Sequence, residues 1–135
     1  MMTSDIGDAS PNHVRIVLPV PPKQLSPNGR FHWAAKAKAV KSYRYQSGMT
    51  ARTVMHDWLI EPPEWSTATV AEVSFYFRTA ARRDADNAMA SMKAAFDGLA
   101  DAHVVLNDSV LFPRMALMSV DTKNPRVEIT VKELR

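Results

Sequence analysis

The chain has 135 residues, a length typical of one domain and sufficient to bury a hydrophobic core without covalent cross-links. It contains no cysteine, which excludes disulfides, thiolate zinc sites and cysteine nucleophiles. Its net charge of +3 and pI of about 9.4 favour a polyanionic partner, and no stretch approaches the roughly 20 apolar residues that span a bilayer.

The first eleven residues are polar and carry two acids but no Lys or Arg, unlike the basic start of a signal peptide. We therefore expect residues 1–11 to form a flexible tail and residues 12–135 to form one domain. With neither a leader nor a membrane span in this pattern, we expect a soluble, cytoplasmic protein.

The first half of the domain is predicted to contain a strand and a long helix. Residues 13–20 alternate apolar and polar side chains, which predicts a strand that ends at Pro21 and Pro22. A loop rich in Pro, Asn and Gly continues to Arg30. Residues 31 to about 59 are alanine-rich, which predicts a helix, with Gly48 as a point at which it could break into two.

The second half is predicted to contain strands around another helix. Residues 70–77 and 126–131 alternate as strands do, and residues 86–99 carry apolar side chains at helical spacing. Residues 103–106 form a short strand candidate. Pro113 places the strand at 110–120 at an edge or in an irregular position. The order predicts an α+β fold, a mixed β-sheet with two main helices in a single domain.

Charge is segregated along the chain. Residues 12–56 contain eight basic residues and no acid, whereas twelve of the fourteen acids lie at Asp57 or later. This separation is expected if one element faces phosphates and another holds a metal ion. The alternative is an ordinary solvated helix face.

Three aspartates are the candidate metal ligands. Asp84 and Asp86 are two residues apart, so in extended backbone their carboxylates project to the same side and suit Mg²⁺. The alternative is that Asp86 or Asn87 caps the following helix, which does not explain Asp84. Asp108 could return beside the pair after that helix, or could serve only as a turn residue.

Two segments resemble a known family. The runs RRDADN and KAAFDGLADAHVVLNDSVL resemble the signature RRDxDN…KxxxDxL…D of the RusA family of Holliday junction resolvases. LPVPPKQLSPNGR resembles that family's strand and Pro-Pro loop. The matches keep their order from about His13 to Leu134. The resemblance implies a RusA-like, Mg²⁺-dependent endodeoxyribonuclease of phage or prophage type. Such an enzyme resolves four-way DNA junctions by paired symmetric nicks, as a homodimer, in DNA recombination and repair.

The resemblance also implies residue roles. Asp84, Asp86 and Asp108 match the catalytic, metal-binding acids, and Lys93 matches the catalytic lysine. In the family's founding form the lysine follows the second aspartate by one helical turn, whereas Lys93 lies seven residues after Asp86. Three extra residues in a helix rotate a position by about 60° and move it about 4.5 Å. Arg82 or Arg83 could take the place of Lys93.

The basic residues of the first loop, the first helix and the turn before Asp84 are candidates for binding DNA phosphates. Phe31 or Trp33 could wedge at an unstacked branch point, or could pack a helix onto the sheet. The chain has no glycine-rich phosphate loop, so we expect no small-molecule cofactor. The DNA-binding candidates are Lys23, Arg30, Lys36, Lys38, Lys41, Arg44, Arg82 and Arg83.

Two other functions remain open at this point. One is a nuclease of the same fold that acts on other branched DNA or on RNA. The other is a non-catalytic nucleic-acid-binding module, which the acids disfavour because they repel phosphates. Four apolar residues are available either to a dimer interface or to the core: Met89, Met92, Phe112 and Met118.

Overall fold

The computed structural model describes residues 5–134. Short 3-10 helices at Lys23–Leu25 and Asp108–Val110 interrupt the loops. The main elements combine into a mixed five-stranded sheet with helices, which confirms the predicted α+β fold. In chain order they are β1 (Gly7–Ser10), β2 (His13–Leu18), α1 (Trp33–Asp57), β3 (Thr69–Phe77), α2 (Ala85–Ala90), α3 (Lys93–Asp101), β4 (Leu111–Val120) and β5 (Arg126–Glu133).

The strand order is β1-β2-β5-β3-β4. All neighbouring strands are antiparallel except β3 and β4, which are parallel. A parallel pair needs a crossover connection, and α2 and α3 supply it. The chain therefore leaves the sheet after β3, passes Asp84 and Asp86, and returns through Asp108 to the edge strand β4. The edge position of Pro113 is as predicted.

The core lies between the central strands and the helices. Alternating residues of β3 and β5, including Val73, Phe75 and Ile129, are fully buried. α1 and α3 approach closely at two glycines: a Cβ on Gly98 would lie 2.4 Å from the carbonyl oxygen of Arg44 and 2.9 Å from the amide nitrogen of Gly48. This contact fixes α3, and with it Lys93, against α1.

The N-terminal prediction is wrong for part of the segment expected to be a tail. Residues Gly7–Ser10 form β1 and pair with β2. Asp8 secures this pairing because its carboxylate accepts hydrogen bonds from the Arg15 guanidinium, at 2.9 Å, and from the ring of His13. Residues 1–4 of the expected tail lie outside the described residues.

The helix predicted over residues 86–99 is two helices. α2 ends at Ala90 and α3 begins at Lys93, with Ser91 and Met92 in the turn between them. The Ser91 hydroxyl donates to the carbonyl of Ala88 at 2.6 Å, and Met92 is fully buried, so the turn is anchored in the core. Met92 is therefore a core residue and is not available to an interface.

Two other details differ from the predictions. α1 runs unbroken through Gly48. Residues 103–106 form no strand beyond a single bridge between Trp65 and Val105. His103 adopts a positive φ of 63°, which interrupts an extended conformation. None of the helices within residues 5–134 has an apolar stretch long enough to cross a lipid bilayer.

Candidate active site

Asp84 begins α2. Its Oδ1 accepts hydrogen bonds from the backbone N–H groups of Asp86, at 2.8 Å, and Asn87, at 3.2 Å. The capping role considered for Asp86 or Asn87 therefore belongs to Asp84. Capping occupies one oxygen of this carboxylate, and the second oxygen is open to another ligand.

Arg83 shapes the turn that presents Asp84. Its guanidinium lies over the ring of Phe77 at 4.0 Å, near the end of β3. It also donates to the backbone carbonyls of Thr79, at 2.9 Å, and Ala81, at 2.8 Å. Arg83 is thus engaged in holding the turn, whereas its neighbour Arg82 is exposed and forms no salt bridge with another described residue.

Lys93 lies at the start of α3 between two carboxylates. Its Nζ is 2.6 Å from Asp97 Oδ1 and 3.0 Å from Asp108 Oδ2. These hydrogen bonds, that of Asp97 first, raise the pKa of Lys93. The bond from Lys93 lowers the pKa of Asp108. Both shifts favour the charged forms of Lys93 and Asp108.

Lys93 lines two adjoining grooves. One, of about 520 Å³, lies between α2, α3 and β4 and is lined by Asp86 and Met115. The other, of about 460 Å³, is lined by Asp97 and Asp108. Lys93 therefore lies between the groove that contains Asp86 and the groove that contains Asp108.

The three predicted metal ligands do not converge. Within residues 5–134 no three His, Cys, Asp or Glu side chains are gathered as a ready metal site. Asp108 is directed to Lys93, and Asp84 caps α2. The donor chemistry nevertheless fits Mg²⁺, which binds one or two carboxylates and keeps several waters. Asp84 and Asp86 are both exposed and offer carboxylate oxygens of this kind, but Asp86 lies in the first turn of α2 and not in the extended backbone that was predicted.

Asp97 was not predicted as a site residue. Its side chain is 23% exposed and forms the shorter of the two salt bridges to Lys93. The sequence signal for this salt bridge is the spacing of Lys93 and Asp97, because residues four apart on a helix are neighbours.

The first ten residues of α1 form a largely exposed basic segment, of which Ala39 packs against the core. No residue from 33 to 42 is buried, and contact with α3 begins with Tyr43 against Met92 and continues with Ser47, whose hydroxyl donates to the Ala95 carbonyl. This exposed segment therefore precedes the part of α1 that packs against Met92 and α3.

The DNA-binding candidates fall into two groups. Arg44 is engaged by Asp101 through two hydrogen bonds, at 2.6 and 2.8 Å, and joins α1 to α3. Trp33 is 76% exposed, so it does not pack on the sheet. Arg83 is engaged by its hydrogen bonds to Thr79 and Ala81. The candidates for which neither a salt bridge nor a side-chain hydrogen bond is seen within the described part of the chain are Lys23, Arg30, Lys36, Lys38, Lys41 and Arg82.

Comparison with known proteins gives two matches. The sequence matches the family described as endodeoxyribonuclease RusA over residues 19–132, which include every site residue discussed above. It is also similar to an uncharacterized protein of Xylella fastidiosa, with 40% identity over 87 residues. That alignment covers 64% of this chain and 56% of the relative, so the chain matches little more than half of the relative's length. The family match spans most of the chain, and the protein belongs to the RusA endodeoxyribonuclease family.

Proposed function

We propose that the protein is a Mg²⁺-dependent, structure-specific endodeoxyribonuclease. It resolves Holliday junctions by paired symmetric nicks during DNA recombination and repair. The observation that carries this proposal is the salt bridge of Lys93 with Asp108 together with the groove that Lys93 and Asp86 line, in a chain of the RusA family. Such an enzyme acts on DNA in the cytoplasm. It needs no small-molecule cofactor, because water is the nucleophile.

Asp84 and Asp86 would hold the metal ion, and Asp108 would join them when it is released from Lys93. When bound, Mg²⁺ lowers the pKa of a bound water and neutralises charge on the scissile phosphate. The Lys93 ammonium adds a fixed positive charge at the groove and stabilises the negative charge that develops on the phosphate oxygens. Asp97 holds this ammonium in place.

The free cations would bind the junction arms. Lys36, Lys38 and Lys41 lie on the largely exposed first ten residues of α1. Contacts of this kind neutralise phosphates and give affinity without sequence preference. Trp33, at the tip of the same segment, is accessible to an unstacked base. Because a four-way junction needs two cuts related by a twofold axis, the proposed active form is a homodimer.

Cleavage of a labelled synthetic four-way junction tests the proposal. The wild type is expected to make paired nicks with Mg²⁺ and none with EDTA. Asp86→Asn is expected to lose at least 100-fold in rate while still binding the junction in a mobility-shift assay without metal. Asp57→Asn removes the same charge from the exposed end of α1 and should cleave normally.

Two results would contradict the proposal. Binding of the junction without cleavage in any divalent metal would identify a non-catalytic nucleic-acid-binding module. Faster cleavage of flaps, other branched DNA or RNA than of the four-way junction would identify a different substrate for the same site.

A further inference from the structure

The groove between α2, α3 and β4 has an apolar lining beside its two charged residues. Phe96 is buried, and Met89 and Met115 are half-buried. The volume of about 520 Å³ lies within the range of roughly 300–1,000 Å³ that is usual for pockets that bind small organic molecules. The groove is therefore larger than a metal ion and a phosphate group require. The apolar lining comes from all three elements: Met89, Phe96, Pro113 and Met115.

The spacing of residues on the two helices brings the charged and apolar groups together. Asp86 and Met89 are three residues apart on α2, and so are Lys93 and Phe96 on α3. Residues three apart on a helix are neighbours, so each helix presents one charged and one apolar side chain to the groove. Met115 of β4 contributes a further apolar side chain. A ligand in this groove therefore meets ionic groups and an apolar surface at the same time.

This combination selects the kind of ligand. A nucleotide joins an anionic phosphate, which the Lys93 ammonium attracts, to a flat base whose faces pack well on apolar side chains. A purely apolar ligand would instead cover the charges of Asp86 and Lys93 without offering either a partner, which costs free energy. A base inside a duplex is held in the stack, but unstacking costs least where the base is already unpaired, as at a branch point.

We infer that this groove holds one unstacked nucleobase of the DNA substrate, the base of a nucleotide next to the phosphate at Lys93. The inference rests on the proposed function, since it takes that phosphate to be the scissile one. A base held in the groove would fix the position of the phosphate beside Asp86, and such positioning lowers the barrier to cleavage. The flexible side chains of Met89 and Met115 can adapt to bases of different size.

Disulfide trapping tests the inference without requiring cleavage. The chain has no cysteine, so Met115→Cys carries the only thiol. Its thiolate attacks the disulfide of a cystamine tether on one base of a synthetic junction, which forms a protein–DNA disulfide and releases cysteamine. EDTA is present, so the DNA stays intact. Met118→Cys is the matched control, because Met118 is also half-buried in β4 but does not line the groove.

The tether would be moved one nucleotide at a time across the branch point. Each rate is divided by the rate with free cystamine, which corrects for the exposure of the thiol. Met115→Cys is expected to exceed Met118→Cys about tenfold at one position, because a bound base raises the effective concentration of its tether. Equal corrected rates at every position would overturn the inference. So would a Met115→Cys thiol that free cystamine does not reach, since the protein or a second copy would then cover the groove.

A substitution that preserves size measures the contribution of the contact. Met115→Gln replaces an apolar side chain by a polar one of similar length. It is expected to slow single-turnover cleavage of the intact junction about tenfold, because contacts to one unstacked base typically contribute that much. A junction that lacks the base at the trapped position should be cleaved by Met115→Gln and wild type at similar rates. Met118→Gln should cleave both junctions as the wild type does. Equal slowing of both junctions by Met115→Gln would contradict the inference.

The two experiments separate this inference from the proposed function. Trapping at Met115→Cys by a protein that cuts no DNA in any divalent metal would uphold the base site and reject the nuclease. Junction cleavage by the wild type, without trapping above the Met118→Cys control, would uphold the nuclease and reject the base site.

Discussion

Lys93 shows how a single side chain joins the two parts of the candidate site. Its seven-residue distance from Asp86 suggested a displacement of about 4.5 Å along one helix. The break at Ser91 and Met92 instead makes Lys93 the first residue of a new helix. Its ammonium there lies 3.0 Å from Asp108, and its side chain lines the groove that holds Asp86.

Replacing Lys93 tests its role at the site. We expect Lys93→Met to lower kcat for junction cleavage about 100-fold, because loss of one preorganised electrostatic partner typically costs that much or more. KM should change little, since many other cations bind the arms. Lys132→Met, which removes a lysine paired with Glu72 on the sheet, is the control and should retain full activity. An unchanged rate constant for cleavage in single-turnover kinetics would mean that Lys93 only forms salt bridges with Asp97 and Asp108.

At the scale of elements, the contact between α1 and α3 positions the site. Gly98 of α3 lies against the backbone of α1, and Ser47 donates a hydrogen bond at 2.7 Å to the carbonyl of Ala95. Arg44 and Asp101 close the same interface at its exposed side. Because Lys93 begins α3, any separation of these two helices would move it relative to the groove.

Gly98→Ala tests this close packing. Its Cβ would lie 2.4 Å from the Arg44 carbonyl oxygen, so the helices must separate. Overpacking of this kind costs about 1–3 kcal/mol of unfolding free energy. Gly48→Ala is the matched control, because its Cβ would lie 3.2 Å from the nearest atom and it gains the same helix propensity. Urea unfolding should find Gly98→Ala clearly less stable than Gly48→Ala, and equal stabilities would contradict the close packing.

At the scale of the whole molecule, ion pairs connect elements that are distant in the chain. Glu72 of β3 pairs with Arg114 of β4 and Lys132 of β5, and these hydrogen bonds, that of Arg114 first, lower the pKa of Glu72. The hydrogen bond from Arg44 likewise lowers the pKa of Asp101. Both carboxyl groups therefore have a lower pKa in the folded state than the ordinary values of 4.5 for Glu and 3.8 for Asp.

The direction of the shifts sets the pH dependence of stability. A depressed pKa in the folded state means that the unfolded chain takes up protons first, so the stabilisation is complete above about pH 5 and is lost as the pH falls below about 4. Each exposed pair contributes about 1 kcal/mol or less, because water screens it. The free energy of unfolding measured with urea should be constant from pH 7 to pH 5 and lower at pH 3. The Glu72→Gln variant should show a smaller decrease. An unchanged stability at pH 3 would contradict these assignments.

The sequence by itself determined the α+β class and most of the sheet. Period-two alternation in β2, β3 and β5 reports directly which residues face the core, because successive side chains of a strand point to opposite faces. It also identified the family through motifs that are local in the chain, and it placed Asp84 and Asp86 together at a strand-to-helix junction.

Only the tertiary structure decided the remaining features. β1 has no alternating pattern and forms because β2 lies beside it. The turn between α2 and α3 depends on the burial of Met92, and the meeting of Lys93 with Asp108 depends on the path of the fourteen residues between them. Arg44 is not one of the unpaired cations, because its guanidinium forms a salt bridge with Asp101. Each of these outcomes depends on distances between residues far apart in the chain, which a local pattern does not encode.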